Sequence, residues 1–150
     1  MAILTDSQRQ SLDAMLDRIV PVQGGKPGAG QVGVANFLEK EAANSSSSAR
    51  GMLNFVKLVE AASGRANGAS FIELDPGKQD AVLTSVESDE PDLFGLLVGR
   101  VYSGYYSNPD VVALLPKDAG PPQPSGFPIK PFDPGIVAKV RKLGPRFRKV

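Results

Sequence analysis

The sequence predicts an all-α fold, a compact bundle of about five helices over residues 1–119, followed by an extended, proline-rich, basic C-terminal tail over 120–150. Three observations carry that prediction. Apolar residues recur at i, i+3, i+4 and i+7 in successive blocks, which is the period of one helix face. Capping residues, prolines and glycine-rich breaks separate the blocks, and these are the signals that start and stop helices. Seven of the thirteen prolines fall within 120–150. Proline lacks the N–H and fixes φ, so neither a long helix nor a central strand can run there.

Thr5-Asp6-Ser7-Gln8 fits a capping box, with Gln8 at the third helical position. Leu12, Met15, Leu16, Ile19 and Val20 then share one face, and Pro21 stops the helix. Residues 21–33 form a loop that holds Gly28-x-Gly30-x-x-Gly33. That spacing matches the dinucleotide fingerprint, but the fingerprint needs a strand before it, and here a helix and a proline precede it. The glycines are therefore assigned to a surface loop. A second helix is expected over Val34–Ala42, and Asn44–Ser48 breaks the chain with serines able to cap the next helix. The third helix is expected over Ala49–Ala62, and Ser63–Ser70 is assigned to a loop because its residues are small and polar. After the short apolar entry Phe71–Leu74, Asp75-Pro76 supplies an N-cap and a first-turn proline for a fourth helix, running to about Ser88. Pro91 opens a fifth, with Phe94, Leu97, Val98, Val101 and Tyr105 on one face and Leu93 and Leu96 beside it. Being apolar on more than one side, this helix is expected either at the centre of the bundle or partly covered by a partner. Val111–Leu115 is expected to add one short helical turn.

Composition narrows the function classes. The chain has no cysteine, which excludes disulfides, thiolate nucleophiles and Cys-ligated metal sites. It has no histidine, so the commonest general base and metal ligand is also missing. Glu39, Glu41, Glu60, Glu73 and Asp80 are scattered at helical surface spacings, with no pair that the sequence brings to one site. A free-standing enzyme is not expected, nor a cofactor or metal held by this chain. No apolar run approaches the ~20 residues of a membrane span. The N-terminus MAILTDSQRQ has no basic or twin-arginine signal. A cytoplasmic location is expected as written, or a periplasmic one if an export signal was removed or is supplied by a partner.

Charge is divided. Residues 120–150 hold seven basic residues and one acid, a net +6, which leaves 10 − 15 = −5 for residues 1–119. The tail still keeps Phe127, Ile129, Phe132, Ile136, Val137, Val140, Leu143 and Phe147, residues that a solvated linker usually lacks.

From Phe71 to Pro109 the pattern LDPGKQDAVL, an acidic spacer and PDLFGLLVGRVYSGYYSNPDV resembles the gluconate 2-dehydrogenase subunit 3 family. LTDSQRQSLDAMLDRIVP and PGAGQVGVANFLE extend the resemblance over most of 4–115. The resemblance implies a helical, non-catalytic small subunit that binds and stabilises a large FAD-dependent oxidoreductase of the glucose–methanol–choline (GMC) type. That flavoprotein partner would act on a sugar, glycoside or related alcohol, and would hold the FAD and the catalytic histidines in a hetero-oligomer. The chain departs from the family pattern in lacking a twin-arginine signal and a Trp-containing, GYPG-like ending, to which SGFPIKP at 125–131 is nearest.

Tyr, Phe and Arg are the residue types that anchor interfaces. Tyr102, Tyr105, Tyr106, Phe127, Phe132, Arg146, Phe147 and Arg148 are accordingly the expected partner contacts. Core packing is the alternative for the tyrosines, and wrapping over the chain's own helices is the alternative for the tail aromatics. A second function class is nucleic-acid or anionic-surface binding through Lys139, Arg141, Lys142, Arg146, Arg148 and Lys149. The acidic body carries no motif that supports it.

Overall fold

A computed structural model describes residues 3–116, 131–135, 137 and 142–144. Within residues 3–116 six α-helices follow one another, α1 Asp6–Ile19, α2 Val34–Asn44, α3 Ser46–Asn67, α4 Pro76–Asp89, α5 Pro91–Tyr106 and the single turn α6 Pro109–Val112. A one-turn 3-10 helix at Phe71–Glu73 lies between α3 and α4. The described residues contain no strand, which bears out the all-α expectation.

Local chemistry starts most of these elements. The Thr5 side chain accepts the Gln8 N–H while the Gln8 side chain accepts the Thr5 N–H, which completes the capping box. Ser45 ends α2 and caps α3, so the two helices form a hairpin with one residue between them. Asp75 accepts the Lys78 N–H at 3.0 Å and Pro76 takes the first turn of α4. Pro91 opens α5 after Glu90 alone. Asn108 caps α6 through the Asp110 N–H at 2.9 Å.

The third helix is longer than expected. Ser63–Asn67 is helix rather than loop, and α3 stops only at Gly68, whose φ of 67° is left-handed. Composition misled here because Ser63 is fully buried. Its hydroxyl donates to the Ala69 carbonyl at 2.8 Å, which satisfies a small polar residue inside the core.

The core draws Leu12, Met15 and Leu16 from α1, and Val34, Ala35 and Leu38 from α2. Phe55, Val56 and Val59 come from α3, then Phe71, and Val82, Leu83 and Val86 from α4. Leu97, Val101 and Tyr105 of α5 and Val111 of α6 complete it. The helix α3 packs against α2, α4 and α5, and α1 closes the bundle against α2 and α4. Ion pairs tie the outer edges together. Arg9 joins Asp13 (3.2 Å) and Glu39 (2.5 Å), Arg18 joins Asp80, and Arg100 joins Glu41 (2.8 Å). No described helix is long and apolar enough to cross a membrane.

Candidate functional site

Helix α5 is not central in the bundle. Its inward face, Leu97, Val101, Gly104 and Tyr105, is buried, while Leu96 on the outside is 67% exposed. Gly104 permits the close crossing of α2, since a Cβ there would sit 2.7 Å from the Phe37 ring and 3.1 Å from Val34 Cγ1.

This crossing fixes the rotation of α5 and separates the three tyrosines. Tyr105 is 2% exposed and belongs to this chain's own core. Its hydroxyl donates to the Pro27 carbonyl at 2.8 Å, and burial pushes its pKa above the usual phenol value. Tyr102 and Tyr106, one turn apart, are 44% and 41% exposed. Their rings stack at 6.1 Å and 16°, and Tyr106 also meets the Tyr105 ring edge-on at 5.2 Å. The buried tyrosine thus braces the outer pair, so two large rings stand on the surface already ordered.

Two shallow grooves flank the pair. One, of about 510 Å³, runs between α1, α4 and α5 past Ile19, Pro21, Leu83, Phe94 and Val98. Arg18 spans its edge to Asp80 with two hydrogen bonds of 2.7 and 2.5 Å, and these hold the Asp80 carboxyl below the usual range. The other, of about 350 Å³, lies between the tyrosines and the turn Gln23–Lys26. That turn is closed by reciprocal backbone bonds of 3.1 and 3.0 Å, and Gly24 and Gly25 both have positive φ, as a type I′ turn requires. Val22 beside it is 61% exposed. Pro21 lines both grooves, beside Tyr102 in one and beside Tyr106 in the other. Pro21 was missed as a site residue in the sequence because only the fold brings it to α5. Leu96 was legible as the residue out of phase with Leu97.

The glycine-rich segment has a structural use. Asp17 Oδ1 of α1 accepts the N–H groups of Gly30 (2.7 Å) and Gln31 (3.2 Å). A Cβ on Gly28 would overlap Asp17, and one on Gly30 would overlap the Asp13 carbonyl. The loop thus presents its donors to a carboxylate of its own chain. Glu39, Glu41 and Asp80 each face an arginine, Glu73 accepts from Ser70, and Glu60 accepts the Phe71 N–H at 3.2 Å. Among the described residues no group of three or more acidic side chains is placed to hold a metal ion.

In the tail, Phe132 is 72% exposed and Leu143 is also exposed, and the Gly135 N–H closes a turn on Asp133 at 2.8 Å. Phe127, Arg146, Phe147 and Arg148 lie outside the described residues.

A protein-family model described as gluconate 2-dehydrogenase subunit 3 matches residues 6–114. No curated protein and no solved structure matches the chain. The matched span takes in the bundle from the first residue of α1 through α6, including the tyrosine face and the loop beside it. The chain belongs to the gluconate 2-dehydrogenase subunit 3 family.

Proposed function

We propose that this chain is the non-catalytic small subunit of a dehydrogenase complex, binding and stabilising a large FAD-dependent oxidoreductase of the GMC type. The substrate class is a sugar, glycoside or related alcohol, and FAD and the reacting groups reside in the large chain. The observation that carries this reading is the braced pair Tyr102 and Tyr106 standing on the surface beside Pro21, within a bundle of this family. Rigid aromatic rings are the usual anchors of protein interfaces, because they contribute large contact area at little entropic cost. The basic tail, with Phe132 projecting, is a second contact on the same partner.

The test is expression of such a large oxidoreductase from the same source with and without this chain. Co-expression is expected to raise the yield of soluble, FAD-loaded large subunit. An equal yield of flavin-loaded protein in its absence would refute the stabilising role.

A further inference from the structure

A separate cavity lies on the far side of α5 from the tyrosine face, between the end of α2, the first turns of α3 and the middle of α5. It has a volume of about 160 Å³. Leu38, Met52, Leu93 and Leu97 line it, and Leu96 stands at its edge. Gly51 opens it, for a Cβ there would meet nothing within 4 Å, although glycine weakens a helix interior relative to alanine. An apolar cavity of about 150 Å³ is large enough for a benzene-sized body.

The lining also has a polar side, made by an arginine paired with a glutamate and by the start of α3. Arg100 Nη1 donates to Glu41 at 2.8 Å. Its Nε and Nη2 have no hydrogen-bond partner among the described residues. Ser47 and Ser48 bring the N-terminus of the 22-residue helix α3 to the same cavity. Ser45 caps the Ser48 N–H, but the Ser46 and Ser47 N–H groups have no intrahelical acceptor, and the first turn contains no acidic side chain. Among the described residues Glu41 is the one carboxylate lining the cavity, and it already faces the guanidinium.

We propose that this cavity is a binding site for a small monocarboxylate with a compact apolar body of about six or seven carbons. The body fills the space among the leucines and Met52. The carboxylate meets the unused edge of Arg100 and the positive end of α3. The site is independent of the partner reading and stands or falls without it.

The experiment is a methyl-NMR titration of the full chain with benzoate, with toluene as the uncharged counterpart and benzylamine as the charge-reversed one. Benzoate is expected to shift the methyl resonances of Leu38, Leu93, Leu96 and Leu97 saturably at millimolar concentration. Toluene and benzylamine are expected to bind at least about tenfold more weakly, the loss of a charge-assisted hydrogen bond. Gly51→Leu, which fills the space, is expected to abolish the shifts, while Gly51→Ala keeps them. Arg100→Gln, checked for an unchanged fold by its methyl spectrum, is expected to weaken benzoate at least about tenfold and leave toluene unchanged. Toluene binding as tightly as benzoate, unchanged benzoate affinity in Arg100→Gln, or no saturable shift of these methyls into the tens of millimolar would each overturn the proposal.

Discussion

Asp17 occupies the place that a bound anion takes in a phosphate-binding glycine loop, with two backbone N–H groups converging on one oxygen. Its removal leaves those donors without an acceptor under a half-buried loop. Asp17→Ala is expected to cost about 1–2 kcal/mol, measured as a lower urea midpoint at unchanged slope. One turn earlier, Asp13 shows the opposite balance. Burial raises its pKa above 3.8 despite the Arg9 contact, with Asp17 and Glu39 adding repulsion. Its Oδ1 is buried without a hydrogen-bond partner among the described residues. A raised folded-state pKa means that the charged form is penalised in the native protein. That penalty is absent below the ordinary carboxyl pKa, where Asp13 is protonated in both states, and is complete above the folded pKa. Asp13→Asn is therefore expected to gain stability relative to the parent as pH rises from 3 to 7, read from paired urea unfolding curves. A difference that is flat would show that the Arg9 attraction offsets burial, and one that falls with pH that it outweighs burial.

The helix α5 shows what glycine does on two faces of one element. Gly104 faces α2, where a Cβ would press into Phe37 and Val34. Gly95 and Gly99 face outward, and a Cβ on either meets nothing within 4 Å. Gly104→Ala is expected to destabilise the chain by about 1–3 kcal/mol through overpacking. Gly95→Ala and Gly99→Ala are each expected to stabilise the isolated subunit by about 0.5–1 kcal/mol through helix propensity. Thermal unfolding of the three variants separates these outcomes. The same helix marks the limit of what the sequence discloses. The starts of α1, α4 and α5 were legible because Thr5, Asp75-Pro76 and Pro91 act within one turn. Helix α3 was shortened because the fit of Ser63 depends on burial, which no local pattern records. Three tyrosines within five residues were visible as a cluster, but which of them faces solvent depends on the rotation that the Gly104 crossing sets. The cavity beside Gly51 was invisible, because it exists only where three helices meet.

Across the whole molecule, the described core is complete by Val111, and the described tail residues Phe132 and Leu143 are exposed. The helical bundle is thus expected to stand without the tail. Truncation after Ala119 is expected to keep the helical circular dichroism and a cooperative melt while weakening retention of the large subunit. Loss of the fold would place the tail on the chain's own helices. The division of charge, +6 in the tail against −5 before it, adds that retention by the intact chain weakens with salt.

The central claim is that this subunit docks on a flavoprotein through the outer tyrosines of α5. The direct measurement is light scattering coupled to size exclusion, with flavin absorbance recorded, on the chain co-expressed with a GMC-type oxidoreductase from the same source. The account predicts a stoichiometric FAD-containing complex with the parent chain, and separate elution with Tyr102→Ala/Tyr106→Ala although that variant remains folded. No complex with the parent chain, or an equally tight complex with the double variant, would contradict it.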